Sequence, residues 1–184
     1  MEKSDDFLVG KSQKGDRKSF EILIIRYEKR LFSLIYRMIG NQEAVSDIAQ
    51  ETFLKAFQSI RNFRRETTFY NWIKRIAINN SINYLNYSAR YSYDSESIET
   101  KESFQKSGFF INPEKNLLSR ELSWKIKKAI DEIPPDLKSV IIMREFEDLS
   151  YQEIAEILNC PIGTVRSRLF HARQKLKEKL NSYI

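Results

Sequence analysis

Near the C-terminus, Arg166, Phe170 and Arg173 stand four and three residues apart, a spacing that lines one stripe of a helix. An Arg fork can bond O6 and N7 of guanine in a major groove. A Phe ring beside it can touch a thymine methyl or pack on the sugar-phosphate wall. Thr164, Ser167, Arg168 and His171 belong to the same polar faces. Lys175, Lys177 and Lys179 could meet phosphate, contacts that position a protein without specifying sequence. A second group lies earlier: Phe63, Arg64, Arg65, Thr67, Thr68, Phe69, Tyr70 and Trp72 mix cations with rings, which suits unpaired nucleic acid, although Phe69 and Trp72 read rather as core, on the inward face of the helix that follows. Downstream, Arg75, Asn79, Asn83 and Asn86 share one helical face, and Asn amides can read a base edge pulled out of a duplex.

These side chains need helices to hold them. Val165, Leu169, Ala172, Leu176 and Leu180 recur at helical spacing and predict a last helix from about Ile162 with that face inward. Ser150 and Glu153 have capping-box spacing and open a short helix to about Leu158. Asn159-Cys160-Pro161 is the turn between them, so the pair reads as a helix-turn-helix. Upstream, Leu117 to Ile133 is amphipathic and Pro134-Pro135 stops it, with Asp136 placed to cap the next helix.

In the first half, Phe20, Leu23, Ile24, Tyr27, Leu31, Leu34, Ile35 and Met38 form one apolar stripe. Gly40-Asn41 breaks it. Val45, Ile48, Ala49, Phe53, Leu54, Phe57 and Ile60 form a second, and a third helix runs from about Phe69 to Leu85. The period then fails through a Ser-, Tyr- and Glu-rich stretch, and no strand pattern appears. The expectation is an all-α chain of two small helical domains, residues 1–90 and 114–184, joined by a flexible linker at 91–113.

Composition narrows the function. The 184 residues are 41% hydrophobic with 5 Gly and 4 Pro, enough for real cores and too few turn formers for a loop-rich β protein. A net charge of +6 suits an anionic partner, although surplus surface Lys would give the same number. One cysteine, Cys160, and one histidine, His171, leave no internal disulfide and no zinc-type ligand set, so no metal or cofactor is expected. Cys160 reads as a small turn or core residue. The N-terminus carries Asp5 and Asp6 and lacks the apolar stretch of a signal peptide, and no apolar run is long enough to span a bilayer, so the chain reads as cytoplasmic.

Three motifs in order give the chain a family resemblance. Asp47-Ile48-Ala49-Gln50-Glu51-Thr52-Phe53 resembles the polymerase-clamp motif of region 2 of bacterial RNA polymerase sigma factors. Phe63 through Arg90, with Trp72-Ile73-Lys74-Arg75-Ile76-Ala77-Ile78-Asn79, resembles its promoter-melting part. Leu149-Ser150-Tyr151-Gln152-Glu153-Ile154-Ala155 and Gly163-Thr164-Val165-Arg166-Ser167-Arg168-Leu169 resemble region 4. The chain is similar to the extracytoplasmic-function (ECF) subfamily, most of all to its envelope-stress sigma-E group, as Phe69-Tyr70-x-Trp72 and Asn112-Pro113-Glu114 support.

The resemblance implies a promoter reader with no catalysis of its own, monomeric when free. Asp47, Gln50, Glu51 and Phe53 would dock on the β′ clamp helices of core RNA polymerase, with the β flap a further contact. Phe63, Arg64, Arg65, Thr67, Thr68 and Phe69 would hold a flipped base of the −10 element, with Arg75, Asn79 and Asn83 nearby. Arg144, Thr164, Arg166, Ser167, Phe170, His171 and Arg173 would read the −35 element. His171 departs from the Arg of close relatives. A membrane-anchored anti-sigma factor is the further partner implied.

A distance argument bears on the mechanism. Elements about 16 base pairs apart lie roughly 55 Å apart. A linker of about 25 residues reaches roughly 80 Å extended but averages only about 25 to 30 Å relaxed. A scaffold must therefore space the domains, and the free chain is expected to bind promoters weakly. Two other classes compete with this expectation. A conventional helix-turn-helix regulator would bind duplex as a dimer with half-sites about one turn apart. A nucleic-acid enzyme would need clustered carboxylates or an activated nucleophile, and Asp47 and Glu51 read better as an interface.

Overall fold

The computed structural model describes residues 3–94 and 117–181, with side chains described throughout except at 91–94, 117–120 and 122. The chain divides after Asp94 into two compact units. Every regular element among the described residues is helical. The expected linker at 91–113 and the Asn112-Pro113-Glu114 motif lie almost wholly outside the described residues, as do the side chains of Leu117, Leu118 and Leu122.

The N-terminal unit begins with a helix that periodicity did not predict, α1 (Asp5–Gln13). Its apolar signal is slight because only Leu8, Val9 and Ser12 are buried. Ser4 caps it, accepting from the Phe7 N–H at 3.4 Å, and Asp5 and Asp6 sit in the first turn, where carboxylates suit the helix dipole. Helix α2 (Arg17–Ile39) starts at Asp16, whose carboxylate accepts from the Lys18 and Ser19 amides. The Ser19 hydroxyl, helped by those amides, holds the Asp16 carboxyl below its ordinary range. That contribution is present above the pKa of the unfolded chain's carboxyl and is lost as pH falls through the lower folded value. Asp5 also accepts from Arg26 and from the Tyr27 phenol, which ties α1 to α2. Burial first, and then Asp5, push the Tyr27 phenol up to about 12.

Gly40, at φ 77°, ends α2 in the left-handed conformation that glycine adopts without strain. Asn41 then caps α3 (Gln42–Ser59). A single 3₁₀ turn, Ile60–Asn62, leads through residues 63–68 into α4 (Phe69–Asp94). Helix α2 packs against α1, α3 and α4, and α3 packs on α4. Leu23, Leu31, Leu34, Ile35, Ala49, Ala56, Ile73, Ala77 and Ile78 fill the shared core. A polar pin crosses the α3–α4 seam. The buried Asn80 amide donates to Thr52 Oγ1 at 3.1 Å, and Lys55 Nζ donates to Asn80 Oδ1 at 2.7 Å.

Two sequence expectations need correction here. Leu54 and Phe57, placed in the second apolar stripe, are exposed, Leu54 by 56%. Helix α4 runs nine residues past the expected end at Leu85, because no Gly or Pro interrupts 69–94.

In the C-terminal unit, α5 (Leu117–Asp131), α6 (Pro135–Glu145), α7 (Tyr151–Ile157) and α8 (Ile162–Asn181) follow in order. Helix α8 packs against the other three. Val140, Ile141, Ile142, Met143, Ile154, Val165, Leu169 and Ala172 are buried between them. Asp136 does not cap α6. Pro134 holds that position and Pro135 takes the first helical place, where a missing N–H costs nothing. Asp136 lies inside the first turn and its carboxylate approaches Arg168 at 4.0 Å.

The capping box at α7 is complete. The Ser150 hydroxyl accepts from the Glu153 amide at 3.2 Å, and the Ser150 amide donates to the Glu153 carboxylate at 2.8 Å. Ser150→Ala is expected to destabilise this unit by about 1 kcal/mol. Urea denaturation followed by circular dichroism would show it as a lowered midpoint with an unchanged slope.

Candidate nucleic-acid interface

In the C-terminal unit, Val165, Leu169 and Ala172 turn one face of α8 inward. Helical geometry then puts Arg166, Ser167, Phe170, His171 and Arg173 on the outside, and all five are exposed, while Thr164 is half-buried. Tyr151, Arg166, Leu169, Phe170, Arg173, Gln174 and Lys177 line an open groove of about 510 Å³. Phe170 is 59% exposed, and its ring meets His171 edge-on at 5.5 Å. The groove thus places a largely exposed aromatic ring among three cations, Arg166, Arg173 and Lys177.

The arginines differ in how committed they are. Arg173 donates to Glu145 from Nη2 at 2.6 Å and from Nε at 3.2 Å. That carboxylate, together with Tyr151, raises the Arg173 pKa. An exposed pair of this kind is worth at most about 1 kcal/mol, so a guanine or phosphate can displace it. Arg144 is held more deeply. Its Nη1 donates to the Leu149 carbonyl at 2.9 Å and its guanidinium lies 5.4 Å from the centre of the Tyr151 ring. Arg144 thus braces the turn into α7. Among the lysines, Lys179 pairs with Glu132 at 2.7 Å, while Lys175 and Lys177 are exposed.

In the N-terminal unit the aromatic-basic segment separates into roots and tips. Phe63 and Phe69 are buried, and Phe63 stacks on Trp72 at 4.8 Å. Phe69 meets Phe20, Tyr27 and Trp72 within 6.3 Å. These ring faces are spent on the core and root the loop. Arg64, Arg65, Thr67 and Thr68 are exposed on it. Thr68 Oγ1 accepts from the Asn71 amide at 3.2 Å, so this threonine also starts α4. Along α4, Asn79 and Asn83 are exposed and Arg75 is half-buried.

On α3, Asp47, Gln50 and Glu51 are exposed along one stripe, and Phe53 is half-buried to one side of it. The exposed Leu54, three residues on from Glu51, adds an apolar contact in the middle of that stripe. Sequence reading missed it because a leucine among Ile48, Ala49 and Phe53 counts toward the core until its neighbours are known. Among the described residues no group of His, Cys, Asp and Glu is arranged to hold a metal, and no helix is long and apolar enough to cross a membrane.

Comparison with known proteins agrees with this layout. The model of Sigma-70 region 2 matches residues 23–91, and that of Sigma-70 region 4 matches residues 123–176. The ECF RNA polymerase sigma-E factor of Escherichia coli is 41% identical over 186 residues, covering 98% of this chain and 96% of that protein. The RNA polymerase sigma-H factor of Pseudomonas aeruginosa is 36% identical, covering 97% and 95%. Among solved structures, the sigma factor RpoE in complex with the anti-sigma factor NepR from Bartonella quintana matches with a TM-score of 0.62 at 23% identity, covering 89% of this chain and 98% of that one. CnrH in complex with the cytosolic domain of CnrY matches with a TM-score of 0.61 at 19% identity, covering 98% and 99%. At those identities the two structures speak to the fold alone. Near-complete coverage by curated relatives, both region models in the expected order and two helical units carrying the matching motifs lead to one conclusion: the chain belongs to the sigma-70 family of RNA polymerase sigma factors, in its ECF group, and is a non-enzymatic factor for promoter-specific transcription initiation.

Proposed function

We propose that this sigma factor grips a promoter at two places and opens it by binding energy alone. The C-terminal unit reads the −35 duplex through α8. Arg166 and Arg173 take guanine or phosphate, Phe170 takes a thymine methyl or a sugar, and Thr164, Ser167 and His171 complete the surface. Arg144 supports that surface from behind. The N-terminal unit takes the unpaired −10 strand on the exposed tips of the 63–69 loop and on Arg75, Asn79 and Asn83, with Phe63 and Phe69 as the loop's roots. Asp47, Gln50, Glu51 and Phe53, joined by Leu54, dock on the β′ clamp helices of the core polymerase, and the β flap receives the C-terminal unit. The observation that carries the reading is the exposed row Arg166–Phe170–Arg173 beside an open groove, on a helix whose other face is core.

Domain limits of 1–90 and 114–184, with a linker at 91–113, fit this division of labour. The core polymerase then acts as the scaffold that spaces the units. An anti-sigma factor held at the membrane would occupy the polymerase-binding faces, and the chain would act in the cytoplasm in an envelope-stress response, a role in keeping with its likeness to sigma-E factors. The solved complex of the sigma factor RpoE with the anti-sigma factor NepR supports an anti-sigma partner.

The test is run-off transcription with purified core polymerase on promoters of the sigma-E type, paired with binding of the free chain to the same DNA. Expected are specific transcripts from the holoenzyme and promoter affinity at least about 100-fold weaker for the chain alone, at matched salt. Tight operator binding by a dimer of the free chain, without association with polymerase, would refute the proposal.

A further inference from the structure

The loop proposed to meet the −10 strand is tied at its base to α1 by one side chain. Gln13, the last residue of α1, donates from its amide nitrogen to the Ile60 carbonyl at 3.0 Å and to the Phe63 carbonyl at 2.8 Å. Its amide oxygen accepts from Arg65 Nη2 at 2.7 Å. A primary amide has two N–H donors on nitrogen and an acceptor oxygen, and both N–H groups and the oxygen are used here. The reverse orientation would put oxygen against two carbonyls and nitrogen against a cation, so chemistry fixes which way the amide points.

Arg65 itself is in the left-handed region, φ 59°, which is unfavourable for a residue with a Cβ. Such a conformation persists where surroundings over-determine it. Here they include Gly10, one turn back along α1. A Cβ at that position would lie 3.0 Å from Arg65 Nη2. The missing side chain lets the guanidinium lie against α1, where Gln13 holds it. Helix α1 is fixed in its turn by Asp5, gripped from α2 by Arg26 and Tyr27.

We infer that Gln13 and Arg65 form a latch that sets the loop's shape, so that Arg65 is a positioning residue and does not neutralise a phosphate. This rests on the proposed −10 contact by the same loop and reassigns one of its cations. Arg64, exposed on the loop and not directed at Gln13, is the cation left to meet DNA.

The experiment measures binding of a fluorescent single-stranded −10 oligonucleotide to reconstituted holoenzyme across a salt series. Gln13→Ala and Arg65→Ala are each expected to weaken binding by about three- to tenfold. The double variant should be no weaker than either single one, because the residues act as a unit. The slope of log affinity against log salt should be unchanged in all three. Arg64→Ala should flatten that slope by about 0.7, the value for one phosphate contact on a single strand. Affinity for core polymerase should stay at the wild-type value. Arg65→Gly, whose backbone takes φ 59° without strain, should repeat the Arg65→Ala result and so separates the latch from misfolding. A flattened slope in Arg65→Ala, or losses that multiply in the double variant, would overturn the latch. Normal binding by Arg64→Ala as well as by the latch variants would instead overturn the −10 reading beneath it.

Discussion

Leu34→Ala is expected to destabilise the N-terminal unit by about 2 to 5 kcal/mol and to leave the C-terminal unit untouched. Leu34 has no exposed surface and sits on α2, the helix that packs against α1, α3 and α4 at once. Truncation leaves a cavity with core on every side, and such a site collapses poorly. The chain divides into two compact units with separate cores, so their unfolding should not be one cooperative event. The two tryptophans make the test direct. Trp72, stacked on Phe63, reports the first unit, and the exposed Trp124 reports the second. In a Trp124→Phe background, the thermal midpoint seen through Trp72 should fall by at least about 10 °C in Leu34→Ala. With Trp72→Phe in place of that change, the midpoint seen through Trp124 should not move. A shift of both midpoints together would show that the units are energetically one body.

The second large effect concerns recognition. Arg166→Ala is expected to lower −35-dependent affinity and initiation by about 10- to 100-fold, the range for loss of a good bidentate base contact. Core polymerase binding and capture of a −10 single strand should be unchanged, since neither uses α8 in the proposed mechanism. The geometry ranks the arginines. Arg166 is exposed at the groove, Arg173 must first trade its Glu145 carboxylate, and Arg144 is engaged by the Leu149 carbonyl. Arg173→Ala should therefore cost less recognition than Arg166→Ala. Arg144→Ala should show mainly as lost stability, because it frees a half-buried carbonyl. Quantitative footprinting of holoenzyme on promoters with an intact or scrambled −35 element separates these outcomes. Wild-type protection of the intact element by Arg166→Ala would remove this residue from the reading face.

Most of the C-terminal site was legible because its determinants are local. Ser150 and Glu153 are three residues apart, and their reciprocal cap needs nothing else. The inward face of α8 follows from a period of three and four, and its outward residues follow by subtraction. The N-terminal site was less legible because its determinants are distant in sequence. Phe63 looks like a ring offered to bases until Trp72 is found stacked on it. Arg65 reads as a phosphate ligand in the sequence, and its bond to Gln13, 52 residues away, is invisible there. Helix α1 buries too few apolar residues to announce itself. Leu54 and Phe57 carry the period of a core stripe, yet α2 and α4 cover only part of α3's circumference. Asp136 has the chemistry of a cap, and the fixed φ of Pro135 at the first helical position set the cap two residues earlier, at Pro134.

The Thr52–Asn80–Lys55 pin has a consequence for how accurately DNA could be placed. Sliding α3 past α4 by one helical turn, about 5.4 Å, would strand the Asn80 amide and the Thr52 hydroxyl in a dry seam. That step exceeds the rise of one nucleotide, about 3.4 Å. If, as proposed, the polymerase holds the protein along α3 while Asn79 and Asn83 are offered from α4, the pin is a gauge block between the two. It excludes a slip of more than one base, and it is set when the chain folds, before any promoter is met.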